Sequence, residues 1–431
     1  MIKKIGAAAM AALMFMAISA GCARSEDSTT LHTMSPDNII EPVKGNDKVF
    51  NDVVELSYKE ATTDTDYMAF VFDFGSECFS STDDNVMVSP ASLLFAMEMA
   101  GAGANGKTLD EMSNVMVPGA TNEEALGFAS DYYRFLNATD EMNISNGIFM
   151  NSDFDGHFYS DYIDYIQDKF DAQTDIRPFN DDAVDYIHEW VNDSTDGMIP
   201  AIIDKLDPDL DMAVIVNAIA FNGEWEDKYE GEDINEEGHF TNASGEDQTV
   251  TMLNSTEGIF FETDKAIGFI KEYKGGEYAF VAILPKDDSI DANEFMADFT
   301  AEDYRAFIDS ARSTEVHASL PAFSYDYTNN GLIEVLQNMG MEAPFSNAAD
   351  FSNMTDIDAY ISSVIQKTHI EVDSDGTKAA AATAVTMTAK GAIVEPEDYE
   401  VVRLNRPFAY MIVDTETDTP VFLGTVNSID G

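Results

Sequence analysis

The pattern of small, polar and charged positions is most unusual in residues 376–391, Gly376-Thr377-Lys378-Ala379-Ala380-Ala381-Ala382-Thr383-Ala384-Val385-Thr386-Met387-Thr388-Ala389-Lys390-Gly391, a run of Ala interleaved with Thr and Val. At the strand period of two, one face carries Thr377, Ala379, Ala381, Thr383, Val385 and Met387. The other carries Lys378, Ala380, Ala382, Ala384, Thr386 and Thr388, so the charge of Lys378 stays off the first face, which could be buried. A run of Ala favours helix, whereas the interleaved Thr and Val favour strand. No proline or inward charge bars a central sheet position. A segment able to be coil or helix in one state and a central strand in another is a candidate switch. The plain alternative is a small-residue surface helix or linker.

The same reading predicts further elements. Residues 404–414 and 420–427 form two apolar strands joined by a polar turn. Residues 213–225 form a nearly continuous apolar strand. Asn217 inside that strand is costly unless it is hydrogen-bonded. Residues 67–79 form a first helix containing Cys78. Near residue 108, glycines make a tight turn, and Thr108 with Glu111 three residues on predicts a capping box at the next helix.

The chain opens with Met1-Ile2-Lys3-Lys4, an apolar run over residues 5–18, and then Ser19-Ala20-Gly21-Cys22. This has the form of a secretory leader, set apart from the fold, and it is too short for a membrane span. Small residues directly before a cysteine are similar to a bacterial lipobox, although Ser19 stands where Leu is usual; Cys22 is then the lipidation site. The organisation expected is residues 1–22 leader, 23–47 a polar tether and 48–431 one domain.

The 431 residues carry 80 acidic and 23 basic side chains, a formal charge of −57. That excludes nucleic acid and anionic membrane surfaces as partners, leaving membrane attachment only through a lipid anchor at Cys22. With 2 cysteines in the chain and Cys22 assigned to lipidation, Cys78 has no partner, and the expectation is an exported domain without disulfides. There is no Gly-x-Ser-x-Gly elbow, His-Glu-x-x-His, Cys-x-x-Cys or phosphate loop. Asp207, Asp209 and Asp211 begin like a calcium loop, but the glycine and glutamate such a loop needs are missing. Neither enzyme, metal nor cofactor is expected, and His188 reads as a helix-surface residue.

Taken together, these segments resemble the serpin family of protease inhibitors. The likeness runs collinearly through residues 85–93, the Gly103-Ala104-Asn105-Gly106-Lys107-Thr108 turn, the Trp190-Val191 helix, residues 213–225, the stretches 240–253, 273–286 and 316–323, which it implies are strands, the strand 361–372 leading into the switch, the switch itself and the terminal strands. It implies an α+β fold of mixed sheets with surrounding helices and an exposed reactive-centre loop over about residues 374–402. The resemblance implies that Ser89, Ser92, Asn217 and Gln366 form a polar shutter cluster under the main sheet, with Gln where His is usual. Trp225 marks the breach where the loop first enters. Gly376, Thr377, Ala379, Ala380, Ala381, Ala382 and Thr383 form the hinge, and Lys390-Gly391 is the reactive bond. Ser374 replaces the Glu common before the hinge, which loosens the entry point. The implied protein is a monomeric, exported suicide inhibitor of a trypsin-like serine protease, held to it covalently. Alternatives are a non-inhibitory serpin acting as a surface binding protein, or an inhibitor of elastase-like or subtilisin-like enzymes.

Overall fold

The strands that are apolar on both faces gather into two mixed sheets, and the helices with one apolar stripe cover them. The computed structural model describes residues 10–20, 67–376 and 399–429. The reactive bond, the hinge beyond Gly376 and Cys22 lie outside these residues.

In chain order, β1 (Met10–Ala20) precedes α1 (Tyr67–Phe79), β2 (Met87–Val88), α2 (Pro90–Gly101), α3 (Gly106–Met116) and α4 (Asn122–Leu136). Then come β3 (Met142–Asn151), α5 (Ser160–Phe170), β4 (Gln173–Arg177), α6 (Asp181–Ser194) and β5 (Asp211–Phe221). The hairpins β6 (Ile234–Thr241), β7 (Asp247–Glu262), β8 (Ala266–Glu272) and β9 (Tyr278–Pro285) follow, with α7 (Ala292–Ala297) and α8 (Ala301–Asp309) after them. The chain ends through β10 (Arg312–Pro321), β11 (Phe323–Asn329), α9 (Leu332–Asn338), β12 (Ala359–Val372), β13 (Glu400–Arg403), β14 (Phe408–Asp414) and β15 (Thr419–Val426). The predicted strand over 240–253 is thus a hairpin of two, and the stretch 316–323 turns a corner at Ala322 from one sheet into the other.

One sheet has six strands in the order β11-β12-β1-β5-β3-β4, and the other has nine, β13-β10-β7-β8-β9-β14-β15-β2 with β6 paired to β7. The six-stranded sheet is buried on both faces at its centre, and its edge strands β4 and β11 are partly exposed. Ala213, Ile215 and Ile219 of β5 join the large core that includes α2, while Val214, Val216 and Ala218 face a second core with Ala183, Ile187 and Val191 of α6. Residues of α2 are buried all round, which its apolar sequence between Pro90 and Gly101 requires.

Residues 10–20, inside the run expected to be a leader, form β1, the strand between β12 and β5. A leader and a strand buried on both faces ask for the same composition, an uncharged apolar run, so hydropathy alone does not distinguish them. One expectation is corrected here: α3 is capped by Asn105, whose Oδ1 accepts from Gly106 N at 2.9 Å, not by Thr108. Thr108 is buried in the first turn and accepts from Asp350 N at 2.8 Å, while Glu111 accepts from Glu342 N and Ala343 N. Both side chains tie the helix to the segment before β12 rather than closing its end.

Candidate functional site

β12 ends at Val372, and the four residues after it close the top of the six-stranded sheet. Trp225 follows β5 closely and is fully enclosed, stacked on Tyr273 at 4.5 Å between ring centres. Its indole N–H donates to the carbonyl of Asp373 at 3.0 Å, and its backbone N–H to Asp375 O at 3.3 Å. Tyr229 N donates to Ser374 O at 3.0 Å, and Gly376 bridges Glu224. Backbone bonds therefore hold this corner. Ser374 lends only its carbonyl; the charge contact comes from Asp375, whose carboxylate lies 3.9 Å from Lys228 Nζ, a half-exposed pair of small worth.

Gly376 is needed at this corner for two reasons. Its φ is +89°, a region that side chains disfavour. A Cβ there would sit 2.3 Å from Trp225 N. Asp373 is half-buried, and burial pushes its carboxyl up to about 6, with the charges of Asp375 and Glu371 adding to the effect against backbone N–H donors. Below the corner, buried Lys271 meets Glu257 at 3.1 Å and lies over the Tyr229 ring at 4.5 Å.

Ser89, Ser92, Asn217 and Gln366 are all fully buried and lie together beneath the sheet. Ser89 caps α2, its Oγ accepting from Ser92 N at 3.2 Å. The Ser92 hydroxyl donates to Asn217 Oδ1 at 2.5 Å. Gln366 uses both ends of its amide on the Ser89 backbone, accepting from N at 3.2 Å and donating to O at 3.0 Å. Gln supplies a donor and an acceptor side by side without titrating, so it fits this place.

The sequence reading missed Asn146. It stands directly opposite Asn217 in β3, accepts from Asn217 Nδ2 at 2.7 Å and donates to Phe170 O at 2.8 Å. β3 also carries Asn143, Ser145 and Asn151, so Asn146 stands out only once β3 and β5 are known to pair. Cys78 is buried beside Asn329, and burial pushes its thiol far above the usual range. His188, half-buried on α6, bonds the carbonyl of Ile203 at 2.8 Å. Asp207 and Asp211 spend carboxylate oxygens on backbone N–H groups of their own turn.

The constellation is a sheet in which β1 lies between β5 and β12, with a buried polar cluster beneath it and backbone bonds closing its upper corner. The family description "Serpin (serine protease inhibitor)" matches residues 65–429. An uncharacterized serpin-like protein of Thermococcus kodakarensis is 30% identical, over 84% of this chain and 85% of its own. The native state of the thermophilic serpin Tengpin is similar at a TM-score of 0.73 and 34% identity, over 84% of this chain and 94% of that one. Thyroxine-binding globulin in complex with thyroxine shares the fold, with a TM-score of 0.71 at 19% identity over 87% of this chain and 99% of that one. With the family match spanning nearly all of the chain after residue 64 and the same architecture in solved relatives, the chain belongs to the serpin family.

Proposed function

We propose that this chain is a suicide inhibitor of trypsin-like serine proteases, trapping them as acyl-enzymes by loop insertion into the six-stranded sheet. One observation carries the reading. The seat between β5 and β12 accepts a strand antiparallel to both, and β12 hands the chain to Gly376 at the rim of that seat. Members of the family are mostly protease inhibitors rather than catalysts.

In this reading the protease serine attacks the carbonyl carbon of Lys390. The Lys390–Gly391 peptide bond breaks, Gly391 leaves as the protonated amine, and an ester joins Lys390 to the protease. Lys390 suits a primary pocket with a buried Asp. The freed hinge is then tethered only through Gly376 and can enter the sheet as a new strand, a mode of strand addition for which serpin loops are a known example. A dozen new backbone bonds at about 0.5–1.5 kcal/mol each stabilise the inserted state by on the order of 10 kcal/mol before packing. Insertion drags the esterified protease along and distorts it before water cleaves the ester. Residues 1–22 direct export, with Cys22 as the lipid anchor.

The test incubates the chain from Glu26 onward with trypsin and with an elastase, followed by denaturing gels and mass spectrometry. A stable covalent complex with trypsin and a released fragment beginning at Gly391 is the expected result. A complex with elastase and a cut at Met387 or Ala389 keeps the mechanism and moves the specificity. Clean cleavage by every protease without a complex overturns the reading in favour of a non-inhibitory binding protein. Thr377→Arg, a charge on the inward hinge face, should convert the inhibitor into a substrate.

A further inference from the structure

Three helices end around one cavity beside β3. α4 ends at Leu136, α5 at Phe170 and α6 at Ser194, and Asn137, Asp171 and Ser194 from those ends line a space of about 520 Å³. The C-terminal end of a helix carries unsatisfied carbonyls and the negative end of its dipole, so cations are favoured there. Asp171 and Asp193 add two carboxylates to the same wall, and no Lys, Arg or His is among the lining residues. The basic side chains on the neighbouring turns face Asp168 instead. Arg134 donates to its carbonyl at 2.9 Å, and Lys169 meets its carboxylate at 3.1 Å.

The apolar part of the wall comes from two rings that are already fixed in place. Tyr133 is buried, its hydroxyl donating to Asp171 Oδ2 at 3.1 Å and accepting from Asn137 Nδ2 at 3.3 Å. That chain of bonds sets one carboxylate beside the ring. Trp190 is half-buried on α6; its indole N–H donates to Gln173 Oε1 at 3.0 Å, and its ring meets Phe149 edge-on at 5.6 Å. A Cβ at Gly147 would stand 3.3 Å from the Trp190 ring, so a glycine at that point of β3 lets the indole lie against the strand. Asn146, the partner of Asn217, also lines the cavity, which therefore adjoins the shutter.

We propose that this cavity binds a short organic polycation, a diamine or polyamine. Its ammonium groups donate to Asp171 and Asp193, and its methylene stem lies across the Trp190 ring, where a cation and an apolar stem are both accommodated. The sign of the wall excludes phosphate and carboxylate ligands. A bare calcium or magnesium ion needs a closed shell of oxygens at short range and has no use for the two rings, whereas a space of this size takes a small organic molecule. The formal charge of −57 draws cations to the whole surface; the cavity adds one place where a polycation is held by shape as well. This site stands apart from the inhibitory reading and does not depend on it.

The experiment titrates the full chain with spermidine by calorimetry in about 0.15 M NaCl, where exposed charges are screened beyond about 8 Å, and follows indole emission in parallel. Trp225 is enclosed, so a change in emission reports Trp190. One saturable site per chain with an altered emission is the expected result. Asp171→Asn with Asp193→Asn should weaken binding at least about tenfold. An amide at 171 still accepts from Tyr133 and tolerates the φ of +48° there, and circular dichroism checks the fold. Glu302→Gln with Glu334→Gln removes the same charge from exposed positions on α8 and α9 and should leave binding unchanged. Equal weakening by the two pairs, or heat without saturation, means a diffuse counterion atmosphere and overturns the site. Saturable binding with unaltered emission places the ligand elsewhere and overturns it too. Calcium chloride at matched ionic strength should neither alter the emission nor displace spermidine; displacement that depends on Asp171 and Asp193 would assign the cavity to a metal ion instead.

Discussion

Trp225 donates its indole N–H to the carbonyl of Asp373 at 3.0 Å, joining the end of β5 to the end of β12 at the corner where the loop departs. That bond holds the backbone of a residue whose carboxyl is half-buried and raised from 3.8 to about 6. A carboxyl with a raised value in the folded state favours the closed corner while protonated. Its contribution is complete below about 3.8 and is lost as pH rises through about 6. The corner should therefore open more readily at pH 7.5 than at pH 5, read as exchange of the Trp225 indole proton. Asp373→Asn keeps an acceptor for Asp375 N and removes the titration, so its profile should be flat. Asp414, also raised to about 6 by burial, lies in β14 and is untouched by that substitution. An unchanged pH profile in Asp373→Asn would assign the effect elsewhere.

Gly376 marks the other side of the same corner. Any side chain meets a positive φ and Trp225 N at 2.3 Å together, so the Glu224 bridge cannot survive it. Gly376→Val should destabilise the latched state by about 1–3 kcal/mol and increase cleavage within residues 377–398 by proteases of broad specificity. The readout is the denaturation midpoint together with the cleavage rate. A midpoint equal to that of the parent would mean the corner relaxes freely around a side chain.

In the shutter, Asn217 serves two partners at once, accepting from Ser92 and donating to Asn146. Asn217→Ala leaves both partners buried without this bond, at about 1–3 kcal/mol for each orphaned group. Ser92→Ala removes one bond and should cost less. Urea denaturation of the single variants and of the Asn146→Ala, Asn217→Ala pair gives the coupling directly. The pair should lose less than the sum of its members, because once one amide is gone the other has already lost its partner.

Much of this was legible in the sequence because burial leaves a mark on composition. A lone Asn217 in an apolar strand asks for a partner, and it has two, Ser92 and Asn146; Ser89, at the start of α2, came only through the family resemblance. Asn146 escaped because its meaning depends on lying opposite Asn217, a long-range register that no local window contains. Thr108 misled because a capping box is only a spacing, and Asn105 three residues earlier made the cap while Thr108 turned inward to Asp350. β1 falls inside the run read as a leader because the demands of a leader and of a central strand on composition coincide, and the seat between β5 and β12 accepts that composition.

Glu98 bears on the floor of that seat. It lies on α2 with Ser92, is fully buried, and neither carboxylate oxygen has a hydrogen-bond partner. Burial pushes its carboxyl from 4.5 up to about 8, so at neutral pH the folded protein holds it protonated while an unfolded chain would ionise it. The stability it allows is complete below about 4.5 and is lost progressively as pH rises to about 8, a change on the order of a few kcal/mol. Unfolding midpoints in urea at pH 5, 7 and 9 should fall across that interval. Glu98→Gln cannot ionise and should flatten the fall. Glu98→Met replaces an unpaired polar group with an apolar one of similar length and should raise the midpoint at every pH. Because α2 carries Ser92 into the shutter, a firmer α2 should also slow entry of a strand between β5 and β12. A Glu98→Met protein that is more stable yet inserts its loop at the parent rate would show that the helix does not move when the seat opens.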